Sequence, residues 1–185
     1  MFKRLLGKER SDNRLLVEAF YGRIVAAARQ PTFYRDWRVP DTPLGRFEML
    51  SLHVFLALDR LQDEGQAAGA LAQELIDRFF ADVESSLREL GIGDMGVPKR
   101  IKKLARMFYG RVSAYSEALQ ADDLDALAQA LLRNARPGDA VRDPAADALA
   151  RYVQRLRATL RDQPLETIMA GTIVFPSPDA QEAVA

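Results

Sequence analysis

Apolar residues return every three or four positions along nearly the whole chain, and no stretch alternates apolar with polar as a half-buried strand would. That single periodicity restricts the fold to helices laid side by side, because only this spacing gathers apolar side chains on one face of a helix. Proline, glycine and capping residues divide the pattern. Asp12 reads as the cap of a first helix that stops before Pro31, with Leu16, Phe20, Ile24 and Ala27 at core spacing. Thr42–Pro43, an N-cap followed by proline at the first helical position, opens a second helix to about residue 63, with Phe47, Leu50, Val54, Leu58 and Leu61 inward. A third spans about 67–90, with Leu71, Leu75, Phe79, Val83 and Leu90 among its core residues and Gly91 at a left-handed C-cap. A fourth spans about 98–120. Asp122 or Asp123 caps a fifth that ends before Pro137–Gly138, and a sixth, about 144–161, turns Leu149, Val153, Leu156 and Leu160 inward. The expected fold is all-α: a single-domain antiparallel bundle of about six helices over residues 12–170. Residues 1–11 read as a flexible basic arm, and 171–185 as a tail that docks Ile173, Val174 and Phe175 before leaving the bundle.

Composition removes several chemistries. The chain has no cysteine, so there is no disulfide, thiolate metal site or cysteine nucleophile. No run of about 18 apolar residues offers a membrane span. The opening MFKRLLGKER lacks the long apolar core and small-residue cleavage site of a secretory signal. His53 is the only histidine; without cysteine partners, and with Glu48 off its helical face, it makes no zinc site. Gly91, Gly93 and Gly96 spell GxGxxG, but the dinucleotide fingerprint follows a strand, whereas a helix precedes them here and Asp94 would repel a phosphate. A tight helix–helix turn explains them better. No catalytic residue, metal or cofactor is expected, and His53 reads as a hydrogen-bonded interior residue in preference to a catalytic one.

Binding has stronger candidates. From position 99 to 111 the chain carries Lys99, Arg100, Lys102, Lys103, Arg106 and Arg111 with no acidic residue among them, in a protein whose 26 basic and 26 acidic residues balance. Three of the five lysines lie in this segment; the other two are Lys3 and Lys8. On a helix, Ile101, Leu104, Ala105, Phe108, Val112, Tyr115 and Leu119 share one face, and Lys99, Lys102, Lys103 and Arg106 point the other way. One face packs and the other faces a polyanion, or else is simply solvated. The connector PTFYRDWRVPDTP (31–43) is expected to be irregular. Its Phe33, Tyr34 and Trp37 either plug the end of the bundle or, with Pro40, Asp41, Arg46, Phe47, His53 and Tyr109, contact an apolar client or a partner. Gly110, between Tyr109 and Arg111, is expected to allow a close helix approach.

Two blocks, VPDTPLGRFEMLSLHVFLALDRL (39–61) and LRELGIGDMGVPKRIKKLARMFYGRVSAYSEAL (87–119), together with YGRIVAAARQPTFY (21–34), carry a further signal. In them the chain resembles the ubiquinol–cytochrome c chaperone family, over roughly residues 20–120. Arg38 stands where that pattern leads one to expect a small residue, commonly glycine. The resemblance implies an assembly chaperone for ubiquinol–cytochrome c reductase, respiratory complex III, that holds newly made cytochrome b near the ribosome or the membrane surface. It implies a small partner subunit, no DNA, and a compact bacterial member at the cytoplasmic face of the inner membrane (the mitochondrial matrix in a eukaryote). The alternative is a peripheral helical module recruited to anionic lipid without any client.

Overall fold

In the computed structural model, residues 2–139 and 141–179 are described, with side chains from residue 14 onward. Eight helices occur among them. The six long ones are α1 (Phe2–Ala28), α3 (Pro43–Leu61), α4 (Gln66–Glu89), α5 (Val97–Gln120), α6 (Leu124–Ala135) and α7 (Pro144–Asp162). Two single-turn helices, α2 (Pro31–Arg35) and α8 (Leu165–Met169), complete the set. The all-α bundle and its long helices match the expectation from periodicity. The start of α1 does not: Phe2–Ala28 is one continuous helix, so Asp12 lies within it and not at its N-terminus. The side chains of the proposed N-terminal arm, and the tail from residue 180, lie outside the described residues.

α3 is the axle. It packs against α1, α4, α6 and α7, while α5 closes the ring between α4 and α6. Its first turn is set locally: the Thr42 side chain accepts the Gly45 N–H at 3.2 Å and Pro43 pre-sets the helical φ. From Phe47 onward both faces of α3 are largely covered, with Met49, Val54, Leu56 and Ala57 at 1% exposure or less. A helix surrounded on most sides buries residues well outside its apolar stripe. Glu48, Ser51, His53 and Arg60 are therefore also buried.

Three of the remaining boundaries have a local chemical cause. Gly91 takes φ 79° immediately after the α4 C-cap, a left-handed conformation that favours glycine. Asp123 and Asp143 cap α6 and α7 by accepting the N–H groups of Ala126 (2.8 Å) and Ala146 (2.9 Å). Asp143 also binds the buried Arg136 guanidinium, which holds its carboxyl well below the usual carboxylate range. After α8 the chain docks Ile173 into the core, and the Gln163 side chain bonds both backbone groups of Val174. Val174 itself points outward, 56% exposed, contrary to expectation. Gly110 is exposed, and a Cβ there would meet nothing within 4 Å, so it permits no close helix approach.

Candidate functional site

The connector folds more tightly than its three prolines suggest. Pro31 does not merely end α1; it takes the first position of α2, and Thr32 O then accepts the N–H groups of Asp36 and Trp37. That turn drives Phe33 into the bundle at 0% exposure. Phe33, Trp37, His53 and Tyr152 form one aromatic cluster with ring centroids 5.2–5.8 Å apart among the neighbouring pairs. His53 is fully enclosed, its Nδ1 2.8 Å from Met49 O and its Nε2 2.8 Å from the Tyr152 hydroxyl. Burial lowers its pKa to about 4, so the ring is neutral at physiological pH. Phe33 and His53 therefore cannot touch a client, and half-buried Trp37 covers the cluster. The connector plugs the bundle.

Thr32 and Val39 of the connector are also buried, and its exposed residues lie near an apolar cleft. Its volume is about 490 Å³. Val25 and Ala28 of α1 form one wall; Pro43, Leu44, Phe47 and Leu50 at the start of α3 form the floor. Val83 and Leu87 of α4, with Leu90 just after its end, form the other wall, and Leu104 of α5 closes one side. Arg29, Arg46, Asp82 and Glu89 supply charge at the lining. Phe47 is only 9% exposed and stacks on Phe79 at 5.9 Å, so it is rigid floor. Leu44 and Leu90 are 45% and 58% exposed; Leu90, expected in the core, lines the rim instead. The Tyr21 hydroxyl donates to Asp82 at 3.0 Å, which fixes α4 against α1 across the cleft.

Of the residues named from the sequence, Arg46 lines the cleft, and Tyr34 and Asp41 lie with it in an adjoining surface pocket that shares Arg29 and Arg46 with the cleft. Arg46 binds Asp41 at 2.6 Å, and the Tyr34 hydroxyl donates to Ala28 O at 2.9 Å. Pro40 is exposed and its carbonyl backs the α3 start: a Cβ on Gly45 would lie 1.9 Å from Pro40 O. Tyr109 stands apart on α5, 55% exposed and edge-on to Phe108. Val25, Leu44, Val83, Leu87, Leu90 and Leu104 went unnoticed as a site. Their signal was present as apolar stripes, but periodicity does not tell a covered stripe from one left half open.

The cationic helix divides in two. Arg111 is not free: its guanidinium forms a two-pronged pair with Glu48, whose side chain is 3% exposed. Burial nevertheless pushes the Glu48 carboxyl up to about 7, against the pull of Arg111. Arg111 is thus an interior strut between α5 and α3, not part of a polyanion surface. Lys99, Arg100, Lys102, Lys103 and Arg106 are all exposed and form no ion pair or hydrogen bond with any described residue. Asp94, the acid nearest in sequence, is held by Arg88. These cations occupy the first turns of α5, which has no acidic residue in its first turn and no side-chain cap. Positive charge at a helix N-terminus opposes the macrodipole. Lys99–Lys102, Lys99–Lys103, Lys102–Arg106 and Lys103–Arg106 add like-charge neighbours at helical spacing. The arrangement costs local stability.

Among the described residues no cluster of three or more His, Asp or Glu side chains could hold a metal, and no helix is long and apolar enough to cross a membrane. The fold is an all-α bundle with a half-open apolar cleft on one side. The chain belongs to the ubiquinol-cytochrome C chaperone family, whose pattern matches residues 35–175. It is similar to the ubiquinol-cytochrome-c reductase complex assembly factor 1 of Xenopus laevis, 29% identical over 102 residues that cover 55% of this chain and 50% of the relative. The Drosophila melanogaster and Homo sapiens proteins of that name are 30% and 28% identical over 97 and 101 residues, covering 38% and 33% of their lengths. The chain thus spans half or less of each of these relatives. The crystal structure of the Cbp3 homolog from Brucella abortus superimposes with a TM-score of 0.89 at 54% identity, covering 97% of this chain and 99% of that one. The family is one of chaperones, not of enzymes.

Proposed function

We propose that this protein is an assembly chaperone for ubiquinol–cytochrome c reductase, respiratory complex III, and that the cleft between α1, α3, α4 and α5 receives an apolar segment of newly made cytochrome b. The observation that carries this is the half-open apolar cleft itself. Its floor is braced by Phe47 on Phe79, while Leu44 and Leu90 stay exposed at the rim. A membrane-protein subunit before insertion or assembly exposes apolar helix faces, and a rigid groove can shield one of them. The charged lining, Arg29 and Arg46 with Asp82 and Glu89, suits the polar flanks of such a segment. The names of the relatives, reductase complex assembly factors, support the reductase as the complex being assembled.

The exposed cations of α5 form the second surface. Their placement against the helix dipole and against one another has no benefit for folding, so it fits a docking role toward a dense array of phosphates. A partner subunit and a station at the inner face of the membrane remain part of this proposal, because an assembly factor must meet its client where the client is made.

The experiment is deletion of the gene followed by reduced-minus-oxidised spectra of membranes, with Leu44→Asp and Leu90→Asp as complementing variants. Both side chains are already exposed, so the fold tolerates the change. Loss of assembled cytochrome b on deletion, restored by the wild type and not by the double variant, supports the proposal. Normal reductase levels in the deletion strain overturn it.

A further inference from the structure

The turn that joins α4 to α5 presents an apolar tip beside the cationic face. Met95 is 96% exposed, the most exposed of the large apolar side chains described, and Leu90 at the base of the same turn is 58% exposed. Arg100 lies over this turn, its guanidinium 2.9 Å from where a Gly96 Cβ would stand. From there Lys99, Lys102, Lys103 and Arg106 continue along the solvent side of α5 without carboxylate partners among the described residues. Leu90 and Leu104 belong at once to this end of the molecule and to the lining of the cleft.

An exposed methionine beside Arg100, at the end of a helix whose solvent face carries four more cations, has the two components of an interfacial contact: a small apolar insertion and attraction to negative headgroups. Ribosomal RNA would use the charges but would leave Met95 in water. We infer that the 90–106 end of the protein docks on the surface of an anionic lipid bilayer, with Met95 entering the headgroup region and the basic face of α5 lying against the phosphates. The cleft then opens beside the membrane, where an apolar client segment would enter or leave it. This inference rests on the basic face being the docking surface proposed above and supplies its target.

The test uses the purified full chain and vesicles of phosphatidylcholine, with and without phosphatidylglycerol, in the absence of client. The wild type is expected to float with the anionic vesicles only, and less as salt is raised. Each basic residue near such a surface contributes about 1 kcal/mol, so reversing Lys99, Lys102 and Lys103 to Glu lowers the partition coefficient on the order of a hundredfold or more. Met95→Gln, which removes the apolar group without adding charge, lowers it about tenfold while leaving its salt dependence unchanged. Met95→Trp gains a blue-shifted emission on binding, above the constant signal of Trp37. Equal binding by Met95→Gln and wild type, or no flotation with anionic vesicles, overturns the inference. Binding of the same face to ribosomes but not to vesicles also overturns it, yet leaves the basic face as a docking surface. Because no client is present, failure here is separate from failure of the cleft as a client site, which Leu44→Asp reports.

Discussion

If the cations on α5 are kept for docking, removing one should make the protein more stable. Lys99 is the sharpest case. It sits in the first turn of α5, makes no ion pair with any described residue, and lies at helical spacing from both Lys102 and Lys103. Replacing it by Glu changes an unfavourable charge–dipole interaction into a favourable one, a swing of about 1 kcal/mol for an exposed site. Two like-charge neighbours become attractive pairs, each changing by about 0.5 kcal/mol. Solvent screening reduces the sum, leaving an expected gain of about 1–1.5 kcal/mol for Lys99→Glu. In a chain of 185 residues this raises Tm by roughly 3–4 °C. The assay is thermal unfolding followed by far-UV circular dichroism in low-salt buffer, repeated with high salt, where the gain should shrink. Paired with the vesicle experiment, the variant should be more stable and dock less well. A fall in Tm would refute the reasoning, because it would mean that Lys99 has a structural partner and is held in place by the fold.

Other consequences follow from the interior. Glu48 and His53 impose opposite pH dependences. The raised Glu48 pKa gives stability that is present below about pH 4.5 and lost as pH rises through 7, while the lowered His53 pKa makes stability fall as pH drops from 6.5 toward 4. The two slopes offset between about pH 4.5 and 6.5, so wild-type stability is expected to be flat there in urea titrations. Glu48→Gln should unmask acid sensitivity and His53→Gln the reverse; unchanged slopes in both variants would contradict the assigned burial. Gly45→Ala should cost more than 3 kcal/mol, measured by urea denaturation, since its Cβ collides with the Pro40 carbonyl and the connector must move. Arg38→Gly should change stability by no more than about 0.5 kcal/mol. It relieves a φ of 61° but loses an exposed pair with Asp143, whereas Arg136→Ala, which strips the buried guanidinium from the same carboxylate, should cost about 3 kcal/mol or more.

Arg38 also shows how much of the molecule could be read in advance. The resemblance led to a glycine there, and the left-handed backbone explains why; the Asp143 partner that steadies an arginine is 105 residues away and left no local trace. Several helix boundaries were legible because their determinants are local: Thr42–Pro43, Gly91 and Asp123 act within one turn, whereas the start of α1 was misplaced at Asp12. The solvated cations from Lys99 to Arg106 were legible for the same reason, as the opposite side of a strong apolar stripe. Arg111 was not separable from them. Its side chain lies between the two faces, and only the buried Glu48 on α3 draws it inward. The apolar cleft was the least legible part. Which of two apolar stripes is fully covered depends on how far apart α1 and α4 stand, and that spacing is set by Phe47, Phe79 and the Tyr21–Asp82 hydrogen bond together. His53 and Phe33 were drawn toward the client list by their chemistry and removed from it by burial alone.

The cleft as a client site is tested most directly by site-specific photo-crosslinking in cells. A photoreactive residue is placed at Leu90 on the cleft rim, and as a control at Gly69, which lies in open space in another groove formed with α3 and α5. The expected result is a cross-link from position 90 to newly made cytochrome b and none from position 69. Equal capture from both positions, or no cytochrome b adduct from position 90 in cells that assemble the reductase normally, would contradict it.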